Sequence, residues 1–460
     1  MPACSESSIK SRTTDKNFYK KLIGIALPIA LQSLISSSLT LLDNLMVSKL
    51  GELALTSVGL ATQSFSLQWM MIFGFCSGCS TFFTQFWGVR DLKNIRKTVG
   101  VALMTCFSVS FVLFLIGLLC PVSVLRLFTN SEEAAVLGAK YLRIASVNFL
   151  LISLTQPLAT SLRATQQTRI PMYISIAAFV TDALFNYLLI FGKLGFPQLG
   201  VAGAAIATVL ARVLELTLTV IVIFKGNNII KGKIREFFDF DRNFVRHIYA
   251  NAVITTVNET LWCGAIVCQN AAYGHLGVTA YAAVQASTTV MDLFQMACFS
   301  VGDASLILIG EQLGQNKIEE GRKISARLLK VGWGLSVFMS TLLIIFNRPI
   351  ISLFSLSELG VHYANKIIVI RALLFPLQLQ NGLLVSGIFR AGGGAKFAAI
   401  SEILIMWIYT VPAAFVGALV FQLPIYRVVL LVQLESVVKG VILLKYYFSG
   451  KWLKNMISGL

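Results

Sequence analysis

Charge is what this sequence has least of. Only 13% of its 460 residues are Asp, Glu, Lys or Arg, and histidine occurs three times. Apolar residues make up 56%, and mean hydropathy is +0.77. A soluble fold is excluded, because its surface would demand more polar residues than this chain supplies. A lipid bilayer accepts such a composition. Acids are scarcer than bases, 21 against 38, for a net charge of +17. That excess does not point to nucleic acid, since the bases form no stripe with aromatic neighbours; they sit in short loops between apolar runs. No GxSxG, HExxH, kinase-like or Walker motif is present, so neither hydrolysis nor ATP-driven transport is expected, and no cofactor. The eight cysteines include one CxxC, Cys76 and Cys79, with no second pair or histidine cluster to complete a metal site. They read as free thiols in helices. The first 21 residues are polar and basic and carry no cleavable signal.

What is there is a series of apolar runs. Twelve have spanning length: 22–47, 57–86, 98–120, 135–162, 170–192, 200–224, 248–272, 281–310, 324–346, 362–388, 397–421 and 425–447. Alternate loops hold 27 Lys and Arg against 5 in the other set. The bias places both termini in the cytoplasm of a multi-pass protein of the plasma (inner) membrane.

A shift of 226 residues brings Leu50-Gly51 onto Leu276-Gly277, Gly88 onto Gly314 and Arg96-Lys97 onto Arg322-Lys323. It also brings Leu127-Phe128 onto Leu353-Phe354, Ser131-Glu132 onto Ser357-Glu358 and Lys140 onto Lys366. One residue of drift later, Arg163-Ala164 falls on Arg390-Ala391. Each half holds an even six spans, so the halves form a parallel repeat, a transporter design. The expected organisation is a cytoplasmic arm (1–21), an amino lobe of six helices (22–224), a cytoplasmic linker (225–247), a carboxyl lobe (248–447) and a tail (448–460). The linker piece Ile234–Arg246 mixes four Phe with charges and is expected on the membrane surface.

A carboxylate at mid-bilayer costs a few kcal/mol, so each calls for a reason. Asp43, near the outer end of helix 1, shares a depth with Asn186 of helix 5 and Thr208 of helix 6, with Asp182 one turn beneath. Two carboxylates with amide and hydroxyl oxygens suit H⁺ or a hard cation such as Na⁺. Glu259, flanked by Asn258 and Trp262, lies mid-helix in helix 7 with no base within two turns; it sits about 15 Å deeper than the Asp43 level, a second acidic site. Asp292 and Asp303 are weaker candidates. Glu435–Lys439 and Arg212–Glu215 are spaced to pair along helices, and Glu402 is near enough to an end to snorkel. Lys140, Arg143, Lys366 and Arg371 are read at outer helix ends. Pro28 removes a backbone bond in the helix that carries Asp43 and is a candidate hinge.

The sequence resembles the multidrug and toxic compound extrusion (MATE) family, in its NorM-like bacterial branch. The resemblance covers nearly the whole chain. It rests on PIALQSLISSSLTLLDNLMVSKLG (Pro28–Gly51), NYLLIFGKLGFPQLGVAGAAIAT (Asn186–Thr208), NETLWCG (Asn258–Gly264), FRAGGG (Phe389–Gly394) and Ser449-Gly450-Lys451-Trp452. It implies an all-α membrane fold: twelve transmembrane helices in two pseudo-symmetric six-helix bundles, V-shaped around a cavity open to one side at a time. It implies alternating-access antiport of H⁺ or Na⁺ against small amphipathic, often cationic, organic compounds, with no obligate protein partner. By resemblance Asp43, Asp182, Asn186 and Thr208 match the amino-lobe cation site, and relatives often have Asn where Asp182 stands. Glu259 matches the helix 7 acid. The acid that such relatives add in helix 10 is missing from Pro376–Asn381. Coupling is therefore expected mainly through the amino lobe, with Glu259, Asn258, Gln378 and Asn381 as a carboxyl-lobe acidic or substrate site.

Two rivals share the two-bundle pattern. A major facilitator would carry a basic signature between helices 2 and 3, where the loop here runs from Gly88 to Lys93 without it. A lipid-linked oligosaccharide flippase would line its cavity with bases for pyrophosphate, and Arg212 is the only base read as deep in the amino half.

Overall fold

Lipid offers no hydrogen bonds, so a chain that crosses it must satisfy its own backbone, and a helix does so within one segment. The computed structural model accordingly contains helices and no strand among its described residues, which are 3–126, 129, 131–226, 228–352, 354 and 356–458; of residues 3–16, 52, 293 and 297 only the backbone is described. The repeat pair Leu127-Phe128 and Leu353 lies outside them.

The first half begins with α1 (Ala3–Ser48), which starts inside the polar arm and runs through Pro28 unbroken. Then come α2 (Glu52–Gly88), α3 (Leu92–Leu119), the short α4 (Pro121–Arg126), α5 (Glu132–Ala145), α6 (Val147–Ala164), α7 (Arg169–Phe191) and α8 (Val201–Val220), with a π turn at Ile221–Lys225. After the four-residue α9 (Ile234–Phe237), the second half runs α10 (Arg242–Gly274), α11 (Val278–Gly314), α12 (Ile318–Ile345), α13 (Asn347–Ile351), α14 (Glu358–Gly382), α15 (Ala395–Ile405), α16 (Val411–Phe415), α17 (Ile425–Gln433) and α18 (Glu435–Phe448).

Among the described residues, eight helices are long and apolar enough to cross a membrane on length and composition alone, and a ninth follows if α5 and α6, bent by 44°, count as one span. The α2 and α10 helices and the α17–α18 pair complete the twelve crossings. The α2 helix is too polar for a hydropathy test, but several of its polar side chains are buried and bonded inside the bundle. Gln68 donates to Ser110 and to the Phe149 carbonyl, each at 2.7 Å, and Thr84 bonds back to the Ser80 carbonyl at 2.9 Å. The eleventh span is interrupted where Pro412 lacks its N–H, and π turns at Met406–Thr410 and Val416–Val420 absorb the mismatch.

By internal contacts the chain divides into two compact units that are not its sequence halves. The amino unit holds Gln32–Gly264, Ala395–Ile403 and Met456–Leu460; the carboxyl unit holds Met1–Leu31, Ala265–Gly394 and Leu404–Asn455. The first part of α10 thus belongs to the amino unit. A Gly74-xxx-Gly78 pair on α2 explains why. A Cβ on Gly78 would lie 2.4 Å from the Ala252 Cα, and one on Gly74 2.6 Å from the Thr256 Cα. Small residues let the two backbones approach, and Asn251 and Thr255 then reach the carbonyls of Gly78 and Gly74 at 3.0 and 2.8 Å.

The linker departs from the expected surface helix. Phe237 and Phe244 are buried, and a Cβ on Gly100 of α3 would collide with the Phe237 carbonyl. Arg96 clamps the same stretch through the carbonyls of Ile230 and Lys231 and the Glu236 carboxylate. The aromatic residues serve a docked core, and Phe238 is the exposed exception. In the carboxyl unit Trp452 is 1% exposed and seats on Gly392 and Gly394, which have no side chains to displace it, while Lys454 N–H donates to the Gly392 carbonyl at 3.1 Å. The glycine run and the tail tryptophan that carried the resemblance are two sides of one contact.

Candidate functional site

The α7–α8 hairpin builds the site. Gly192 ends α7 in the left-handed conformation (φ 65°), and Gly203 lets α8 close onto the Leu189 carbonyl, where a Cβ would stand 2.6 Å away. The hairpin sets Asp182 and Asn186, one turn apart on α7, beside Thr208 on α8, while α1 supplies Asp43 from a third side. Asp182 is fully buried, Asn186 is 1% exposed and Asp43 is half-buried.

One amide joins the two acids. The Asn186 Nδ2 group donates to Asp43 Oδ1 and to Asp182 Oδ2, both at 2.7 Å. The two carboxyl groups are themselves within hydrogen-bonding reach of each other. The second oxygen of Asp182 and the Asn186 carbonyl oxygen are buried with no hydrogen-bond partner. Unmatched oxygens at this depth cost a few kcal/mol unless a proton or a cation answers them. The Thr208 hydroxyl donates to the Ala204 carbonyl at 3.0 Å and stands near Asp182 and Tyr141. On the far side Arg212 is paired with Glu215 at 2.7 Å, as their spacing predicts. The four amino-lobe residues thus meet, with buried Tyr141 of α5 as a fifth member. Nothing in its local sequence marks Tyr141; only the packing of α5 on α8 does.

The carboxyl-lobe candidates do not gather in one unit. Glu259 is half-buried and Asn258 buried, both in the amino unit; Gln378 and Asn381 belong to the carboxyl unit. The Asn381 amide donates to the Ser436 carbonyl at 2.7 Å, and Asn258 donates to Glu402 at 3.0 Å. Glu402 is 8% exposed. It does not snorkel, because it stands two turns inside α15 against a polar partner. Asp292 and Asp303 are exposed. Pro28 is buried within α1, and the handover between units falls one turn later, between Leu31 and Gln32.

The helical bundle that carries this acid pair has counterparts among known proteins. The sequence model of the MatE family matches residues 28–188 and 260–416. The chain belongs to that family. The two matched stretches fall close to the 226-residue repeat. Among curated relatives, "Probable multidrug resistance protein YoeA" of Bacillus subtilis (strain 168) is 24% identical with both chains covered in full. "Probable multidrug resistance protein NorM" of Thermotoga maritima is 25% identical over 95% of this chain and 94% of its own. A solved structure described as "Crystal structure of MATE in the bent conformation" superposes with a TM-score of 0.86 at 17% identity, covering 94% of this chain and 95% of that one. A MOP superfamily transporter from Pyrococcus furiosus gives 0.85 at 17% identity with the same coverage. The flippase alternative gains nothing from these relatives, which are named for drug resistance.

Set on the MatE fold, one base is misplaced by the sequence reading. Arg371 is not at a helix end. It stands 13 residues into α14, about 20 Å along the helix axis. Its Nη1 donates to Thr288 at 2.8 Å, and its Nε is buried without a partner. Asp292 lies one turn beyond Thr288 on the same face of α11. The carboxyl unit therefore carries an intramembrane acid and base that are not in ion-pair contact. Helix 10 was read for its missing acid at 376–381, and its base five residues earlier was read at the outer end of the helix.

Proposed function

We propose that the chain is a secondary active multidrug efflux transporter of the cell membrane, with both termini cytoplasmic, exchanging H⁺ or Na⁺ for small amphipathic, often cationic, organic compounds. The observation that carries this reading is the Asp43–Asn186–Asp182 bridge with its two unanswered oxygens. A proton fits the bridge as it stands, because a protonated carboxyl supplies the missing donor. Na⁺ would need Asn186 to turn its carbonyl oxygen inward, giving an all-oxygen set with Thr208. Filling this site and emptying it changes the charge at the outer end of α1. Pro28 weakens the same helix one turn before it passes between the compact units, so occupancy and the bend of α1 are coupled; full export by Pro28→Ala at normal expression would refute that link. Glu259 acts in substrate binding or secondary coupling.

The test uses everted vesicles loaded with a fluorescent cationic dye under either a pH or a Na⁺ gradient. Dye movement driven by one gradient and lost in Asp43→Asn supports antiport and names the ion. Abundant, folded protein that moves no dye under either gradient removes the proposal.

A further inference from the structure

At the loop ends of three spans in the carboxyl unit, where α12 ends and α14 and α17 begin, lies a cavity of 720 Å³. Arg348 of α13 lines it, together with His362 and Lys366, which stand one turn apart on α14. All three side chains are exposed, and among the described residues no carboxylate lies within 4 Å of Arg348 or Lys366. The Lys366 ammonium instead sits 4.3 Å from the centre of the Tyr426 ring, a contact that holds it over the cavity without neutralising it. The corresponding corner of the first half is built differently. There Arg126 is bound to Glu132 at 2.6 Å, so its charge is already answered.

Two further observations narrow the ligand. Asn347 is 6% exposed and lines the cavity. Its amide nitrogen donates to the Asn365 backbone carbonyl at 3.2 Å, but its Oδ1 is buried with no partner, and so is the Oδ1 of Asn365 beside it. Bare anions would satisfy the bases and leave both oxygens orphaned, at a cost for each. Hydroxyl groups carried next to the anion would satisfy them once the two amides turn toward the opening. The remaining wall is apolar: Ile344 and Ile345, 41% and 64% exposed, with Val369 and Ile370. These belong to membrane spans, so they face acyl chains at the depth where headgroups lie.

We propose that this cavity seats the headgroup of an anionic phospholipid that carries free hydroxyls, its phosphate held by Arg348, Lys366 and His362 and its hydroxyls by the oxygens of Asn347 and Asn365. Lys and Arg near an anionic headgroup each add to binding, and the apolar wall takes the chains. The site stands apart from the acid pair and does not rest on the transport reading.

Purified full-length protein is reconstituted in micelles doped with phosphatidylglycerol or phosphatidylcholine, and retained lipid is counted by native mass spectrometry. Wild type keeps phosphatidylglycerol over phosphatidylcholine by about tenfold, and Arg348→Gln/Lys366→Gln loses most of that preference while melting at the wild-type temperature. Asn365→Asp, which sets a carboxylate against the phosphate and spares the bases, loses it as well. Equal retention of the two lipids by wild type overturns the proposal, as does an unchanged preference in both variants. A third arm adds soluble glycerol phosphate. If it displaces phosphatidylglycerol at equal concentration, the apolar wall contributes nothing and the lipid assignment falls; if it does not compete, the acyl chains are part of the ligand.

Discussion

The two halves share a fold and not a charge pattern. Under the repeat Asp43 corresponds to Gln269 and Tyr141 to Ile367; with the one-residue drift Asp182 corresponds to Tyr409, Thr208 to Glu435 and Arg212 to Lys439. The first half opposes two acids across α1 and α7 and joins them by one neutral amide. At the matching positions the second half has a single acid, on α18. There Glu435 accepts from Thr410 at 3.0 Å and Lys439 stands one turn further along, while the Tyr409 hydroxyl is used by the Leu431 carbonyl at 2.9 Å. An acid with a hydroxyl donor and a base one turn away is a structural element. Two acids that share one amide have room for a charge to come and go. Duplication preserved the helices, which the bilayer demands of both halves, and let the charges diverge, so that the paired acids stand in one half only.

The largest expected effect tests that asymmetry directly. Asp43→Asn removes gradient-driven efflux by about 100-fold, near 2.7 kcal/mol, whereas Glu435→Gln leaves it within about threefold. Initial dye efflux rates at matched expression measure both, and equal losses would erase the distinction between the halves. Next in size is a structural test of the device that gives the start of α10 to the amino unit. Gly78→Leu drives a side chain into the Ala252 backbone and costs about 2 kcal/mol. A fall in thermal melting of the detergent-solubilised protein reports it, with Gly334→Ala as the control, since nothing lies within 4 Å of a Cβ there. Arg371→Met sharpens the comparison from the other half. It removes a mid-membrane base while Asp292 stays, and efflux of carboxylate-bearing dyes falls about tenfold with cationic dyes little changed. Equal losses for both dye classes would mark Arg371 as a packing residue tied to Thr288.

The twelve crossings and the repeat were legible because the bilayer imposes them on every segment, so hydropathy and the alternation of Lys and Arg carry the signal. Asp43, Asp182, Asn186 and Thr208 were legible for a related reason: each is a polar residue where lipid penalises one, and helical spacing gives their depth. Tyr141 was not, because tyrosine in an apolar helix is ordinary until α5 is packed on α8. Glu402 and Arg371 were misjudged on depth. A sequence marks helix ends only to within a turn or two, and that error is the difference between a side chain that reaches water and one that does not. Phe237 and Phe244 were misjudged because their burial depends on Gly100 and on Phe86 respectively, each more than a hundred residues away, which no local pattern encodes.

The smallest predicted effect is the most specific. If Asn186 is the link between the acids, its removal and the removal of the Asp182 charge should not act independently. Asn186→Ala frees both carboxyl groups from their shared donor, and Asp182→Asn supplies a second amide in place of an acid. In a double-mutant cycle on efflux, the loss from Asn186→Ala in the Asp182→Asn background is smaller than in wild type by about 1 kcal/mol, because the amide then has one carboxylate to bridge instead of two. Additive losses would mean that Asn186 serves each acid separately. The site would then be two neighbouring carboxyl groups and not a pair, and the case for a single exchangeable proton or cation between them would fail.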